Sequence, residues 1–238
     1  MVREKSTAAL WAVGVGFAAT VAVPAQWDGY VDYGDYDLRR LLIVEEDAEL
    51  GLETHRPNLE LADRVLRDLE RHAGEYPPFF ARETERIRAE RDLRMLAVVF
   101  DLLAERPDAE PGVLLRAGRI AALGHNLDVP GSAERATRHF ETLLEVAPDH
   151  ALGHFHYGLF LVSTATGHRD SLAHLQKALD EGVTDARYAL GLAYLLLDDR
   201  EASLEHFEVY AQQRPGHGRT RVLIRAIRAG TVNIEKGD

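Results

Sequence analysis

Apolar positions recur every three or four residues along most of the chain, the spacing of helices that bury one face. The pattern predicts helices over Leu59–His72 and Phe79–Arg106, one more over Asp37–Leu50, and an amphipathic helix over Gly218–Ala229 near the C-terminus. Two segments differ, because Leu152–Val162 and Ala186–Leu197 are apolar almost all round. A helix without a polar face is buried on most sides, so these two belong at the centre of a packed array.

The second half of the chain repeats itself. Leu123-Gly124, Tyr157-Gly158 and Leu190-Gly191 follow one another at intervals of 34 and 33 residues. After each glycine comes a small residue, Ala136, Ser171 or Ser203, and four positions later a large one, Phe140, Leu175 or Phe207. Pro148 and Pro215 close the first and third copies, and Val183 stands at that place in the second. Glycine inside an apolar helix costs about 1 kcal/mol relative to alanine. Three at one period imply that a neighbouring helix crosses closely there, with the small residues facing the glycines and the large ones filling the space beside the crossing. Proline then stops the second helix. Ser132, Asp170 and Asp199 stand where caps of the second helices are expected. Every copy reads as a helical hairpin.

This pattern resembles the tetratricopeptide repeat family, W-x2-L-G-x2-Y…A-x3-F…P over 34 residues. The first copy supplies Ile120, Leu123, Gly124, Leu127, Ala136, Phe140 and Pro148. The third supplies Arg187, Leu190, Gly191, Tyr194, Ser203, Phe207 and Pro215, and the weaker second His154, Tyr157, Gly158, Leu161, Ser171 and Leu175. None carries the family's Trp. The resemblance implies an all-α, tetratricopeptide-like helical-hairpin solenoid. Three repeats fill residues 113–217 (about 117–150, 151–183 and 184–217), and residues 218–238 hold the capping helix and tail that such an array needs. Residues 37–112 form an atypical helical region, read as a degenerate repeat ending at Pro107.

By the same resemblance the groove-facing positions are Ala121, His125 and Asp128 in the first repeat, Phe155, Leu159 and Val162 in the second, and Tyr188, Leu192 and Leu195 in the third. The last two sets are spaced i, i+4, i+7 and each makes one apolar stripe. An open groove of that kind would be a large apolar patch, so something is expected to cover it. One occupant is an apolar or amphipathic segment of another protein. The alternative is self-assembly, with the groove filled by the chain's own N-terminal arm or by a second copy. A small hydrophobic ligand is the least favoured.

The N-terminus changes the expected location. Arg3 and Lys5 precede the uncharged run Ala8–Val23, which ends in Val23-Pro24-Ala25. A positive start, an apolar stretch and small exit residues make a secretory signal peptide over residues 1–25. The expected location is therefore the periplasm, or an inner-membrane signal anchor if cleavage fails. Residues 26–36 form an arm in which Tyr30, Tyr33 and Tyr36 alternate with aspartates. Aromatics so close together are expected to pin the segment onto a surface.

Composition narrows the chemistry. The net charge of −11 argues against a nucleic-acid partner, because phosphate recognition needs a basic surface. The absence of cysteine removes thiolate nucleophiles, Cys-ligated zinc and iron–sulfur clusters. Gly14-Val15-Gly16-Phe17-Ala18-Ala19 fits a dinucleotide fingerprint, but no strand precedes it. The acidic run Glu45-Glu46-Asp47-Ala48-Glu49 reads as a solvated helix face. His150, His154 and His156 are the one cluster with metal-ligand character, yet His154 holds a packing position of the repeat and H-E-x-x-H is absent. Arg221, Arg225 and Arg228 form a basic stripe that reads as a solvated cap or a dock for an acidic partner. The sequence therefore gives no catalytic residue and calls for no metal or cofactor.

Overall fold

The computed structural model describes residues 30–47, 52–164 and 166–232. The expected signal peptide lies outside them. Val31–His139 form one compact unit and the described residues from Phe140 onward the other.

In the first unit Val31–Asp37 run without regular structure and are pinned by polar contacts. The Tyr33 ring is 1% exposed, and its hydroxyl donates to Asp92 Oδ2 at 3.1 Å. The Gly34 amide and the Tyr36 hydroxyl both donate to Asp68 Oδ2 at 2.8 Å. Arg88 donates to the Tyr33 carbonyl at 2.9 Å, and Asp32 pairs with Arg82. Tyr33 also meets Tyr36, His72 and Phe80 edge-on. A short 3-10 turn, Leu38–Arg40, follows, capped by Asp37.

The helix expected over Asp37–Leu50 does not form among its described residues, 37–47. Strands β1 (Leu42–Asp47) and β2 (Leu52–Pro57) pair antiparallel instead, with Leu42 opposite Pro57 and Asp47 opposite Leu52. Ile43 and Val44 are β-branched and favour the extended chain. Glu45 also pairs diagonally across the two strands with Arg56. Glu45, Glu46 and Asp47 are thus on a strand, not on a helix, and the rest of the acidic run lies outside the described residues.

Three whole helices lie in this unit: α1 (Leu59–Ala73), α2 (Glu83–Ala104) and α3 (Pro111–Asn126). Asn58 caps α1 by accepting from the Leu61 amide at 3.1 Å. The second helix begins at Glu83, not Phe79. The Phe79 amide donates to the His72 carbonyl at the end of α1, and Arg82 is extended. Val65, Leu66, Leu69, Leu93, Leu96, Phe100 and Ile120 share one core with Tyr33. Arg116 clasps Asp63 with two bonds of 2.7 and 2.8 Å, which fixes α3 on α1.

The division between the units falls inside α4 (Ser132–Val146). Beyond it come α5 (Ala151–Ser163), α6 (His168–Asp180), α7 (Ala186–Leu196), α8 (Arg200–Gln213) and α9 (Gly218–Arg228). α5 packs on α6, α7 on α8, and α9 on α8. The glycines stand at the crossings, with one change from expectation. A Cβ on Gly158 would meet Leu175 Cγ at 2.7 Å, and one on Gly191 would meet Phe207 Cε1 at 2.7 Å. The large residue itself therefore sits over the glycine. The small Ser203 reaches the same crossing through its hydroxyl, which donates to the Gly191 carbonyl at 2.8 Å, and a Cβ on Gly124 would instead meet Ser132 Oγ at 2.5 Å.

Of the expected caps, Asp199 accepts from the Ala202 amide at 3.0 Å. Ser132 is the first residue of α4, and Asp170 lies inside the first turn of α6 behind Gly167. Helices α3, α6, α7 and α9 stop alike. Asp128, Gly182, Asp198 and Gly230 take positive φ one residue past the cap. The amide of the following residue then bonds back to Gly124, Ala178, Tyr194 or Ala226.

Candidate functional site

The face expected to bind a partner is carried on α5 and α7. Phe155 and Leu159 on α5 and Leu192 on α7 are half-buried and pack on the cluster of Leu175, Ala178, Ala189 and Leu190. Tyr188 and Leu192 pack on a second cluster built from Leu195, Phe207, Leu223 and Ile227. Leu192 therefore touches both clusters. Val162 and Leu195, in the same expected stripes, are 8% and 4% exposed and belong to the cores themselves. The accessible part of the face is then Phe155, Leu159, Tyr188 and Leu192.

Tyr188 is held by rings on three sides, with centroids 5.5 Å from Phe207, 5.5 Å from Tyr210 and 4.9 Å from His217. Its hydroxyl is buried without a hydrogen-bond partner, and burial raises its pKa. Tyr210 donates to Asp185 at 2.9 Å, and burial together with that carboxylate pushes its phenol up to about 12. His217 meets the Thr220 hydroxyl at 2.6 Å, and burial lowers its pKa. The sequence reading missed Tyr210 and His217, which come from α8 and from the residue before α9.

The first-repeat positions belong to the other unit. Ala121 is buried on α3, His125 is half-buried in its last turn, and Asp128 is exposed in the left-handed stop that ends it.

The histidine segment does local work. His150 Nδ1 accepts from the Gly153 amide at 3.0 Å and caps α5. His154 Nε2 lies 2.8 Å from the Pro148 carbonyl, and its Nδ1 lies 2.9 Å from Nδ1 of His174. With Nε2–H donating to a carbonyl, a neutral His154 accepts at Nδ1 and His174 donates. Burial, and then His154, lower the His174 pKa. His156 stands edge-on to Phe155 at 5.0 Å. Among the described residues no group of three or more His, Cys, Asp or Glu is arranged to hold a metal ion. The sequence signal for His174 was its place one residue before Leu175, which the repeat aims at the first helix.

Arg221, Arg225 and Arg228 are all exposed on α9, opposite buried Leu223, Ile224 and Ile227. Arg228 pairs with Glu208 at 2.9 Å, and Arg221 donates to the Pro215 carbonyl. Arg219, half-buried on the same helix, has its pKa lowered by burial to about 10. Among the described residues no helix is long and apolar enough to cross a membrane.

No family model and no curated protein matches the chain. Among solved structures it is similar to a thermophilic TPR protein of Thermus thermophilus, at 19% identity and a TM-score of 0.51. The match covers 72% of this chain and 92% of that one. At that identity the likeness shows the fold: the helical hairpins of this chain are arranged like those of a tetratricopeptide repeat protein.

Proposed function

We propose that the protein is a non-catalytic interaction scaffold of the cell envelope. It holds an apolar or amphipathic segment of another protein against Phe155, Leu159, Tyr188 and Leu192. The observation that carries this reading is the placement of these four. They are large and apolar, come from the first helices of consecutive hairpins, and stay half-exposed at the rims of two well-packed clusters. A helical hairpin array presents such first-helix residues to an extended or helical segment. The envelope location rests on the charge and hydropathy pattern of residues 1–25.

The arm is a weaker occupant than an outside segment. Its residues Tyr33 and Tyr36 already commit their hydroxyls to Asp92 and Asp68. The roles found for His150 and His154, as cap and clasp, favour a structural use of the histidines over metal binding.

The test is affinity capture from the native envelope, comparing the wild type with Phe155→Glu plus Leu192→Glu after circular dichroism shows that both fold. Removing two apolar contacts of about 1.5–3 kcal/mol each and adding two carboxylates should cut retention of a specific partner by tenfold or more. A partner held equally by both proteins refutes the site and directs attention to Arg221, Arg225 and Arg228. Capture by neither makes a self-covered face the better account.

A further inference from the structure

Helix α2 is turned the unexpected way round for a surface helix. It buries two carboxylates, Glu85 and Asp92, beside Ala89, Leu93, Leu96 and Phe100. Its outward side carries Ile87, Met95, Val98 and Leu102, exposed at 58%, 40%, 62% and 64%. At 100° per residue these four fall within about 80° of one another, along roughly 22 Å of helix. Scattered exposed apolar residues need no explanation, but four on one stripe make a contiguous patch of the kind that marks an interaction surface.

The charges along the stripe say which partner fits. The exposed cations Arg91 and Arg94, which also pair with Asp92 and Glu90 of the same helix, lie in its N-terminal half. The carboxylates Glu105, exposed, and Asp101, half-buried and bonded to His139, lie in its C-terminal half. We infer that α2 is a self-association surface, on which a second copy of this chain packs its own α2 antiparallel through Ile87, Met95, Val98 and Leu102. With Met95 set opposite Val98 of the second copy, the helical rise puts Arg91 about 5 Å along the axis from Glu105 of that copy. Arg94 falls about 3 Å from its Asp101, and the two Arg91 side chains stand about 16 Å apart. A parallel pair would instead stack Arg91 on Arg91 and Glu105 on Glu105. Two such faces, with the stems of the flanking charges, bury on the order of 1,000 Å², the low end for a specific interface. The association is therefore weak and concentration-dependent. It uses none of the residues assigned above to partner binding, so either surface can fail without the other.

Sedimentation velocity of the full chain over roughly 1 to 100 μM reads it directly. The wild type should move from the mass of one chain towards two. Val98→Glu, at an exposed position, should keep its circular dichroism and stay at one. A wild type that remains monomeric throughout, or a Val98→Glu that associates like wild type, overturns the inference. Geometry is tested by oxidation, because the chain has no cysteine of its own. In the antiparallel pair the two copies of residue 98 are offset by about 4.5 Å and those of residue 87 by about 28 Å. Val98→Cys should form disulfide-linked dimer at least tenfold faster than Ile87→Cys. Equal rates, or faster linkage through Ile87→Cys, overturn the antiparallel arrangement.

Discussion

Gly191→Ala is the sharpest probe of the repeat. A methyl at Gly191 would stand 2.7, 2.8 and 3.0 Å from Cε1, Cδ1 and Cζ of Phe207, a side chain that is 0% exposed and has nowhere to retreat. Overpacking of that kind costs about 1–3 kcal/mol. The same change removes a glycine from a helix interior, which returns about 1 kcal/mol. The net expectation is a loss of roughly 0–2 kcal/mol at a site where helix propensity alone predicts a gain. Two further variants isolate the packing part. At Gly112, in the first turn of α3, an added Cβ meets the tip of Arg116 at 3.3 Å, so Gly112→Ala should be neutral or mildly stabilising. In a Phe207→Ala background the obstruction is gone, and Gly191→Ala should turn stabilising by up to about 1 kcal/mol. Urea unfolding followed by circular dichroism gives each value, provided the slope stays constant so that the midpoint reports stability. If Gly191→Ala proves as benign as Gly112→Ala, or if its cost survives Phe207→Ala, the close helix crossing is wrong.

Tyr33→Phe deletes the hydroxyl that donates to buried Asp92 and should lower stability by about 1–3 kcal/mol, because the carboxylate loses a donor that water cannot replace. Burial already raises the Asp92 pKa, and removing the donor should raise it further, so the cost should shrink as the pH falls through the carboxylate range. A Tyr33→Phe protein as stable as wild type at pH 7 would mean that the arm is not held there. Acidification acts oppositely through the histidines. Burial depresses the pKa of His168, His174, His206 and His217 below the ordinary value, so as the pH drops the unfolded chain takes up protons before the folded one. Their contribution is complete above about pH 6.5 and is lost as the pH falls through the depressed values. The unfolding midpoint should therefore fall from pH 7.5 to 5, and a flat or rising midpoint would show these rings to be solvated.

The sequence by itself determined what is local. Helix stretches from Leu59 onward follow from a period that a chain of L-residues satisfies in one way. That Gly158 and Gly191 mark close helix crossings is legible because a glycine in an apolar helix has few uses besides close approach, whereas only the packing set Leu175 and Phe207, instead of Ser171 and Ser203, directly over them. Tertiary structure decided the rest. Residues 37–50 carry apolar positions that read as a helix, yet Leu42–Asp47 become a strand because β-branched Ile43 and Val44 favour the extended chain and Leu52–Pro57 supply a ladder with the Glu45–Arg56 pair. The anchoring of the arm by Asp68 and Asp92 spans 32 to 59 residues of sequence, and no periodicity reaches that far. The candidate face divides for the same reason. Phe155, Leu159, Val162, Leu192 and Leu195 share one spacing, and only the helices packed beside α5 and α7 leave Phe155, Leu159 and Leu192 at the rim while closing over Val162 and Leu195.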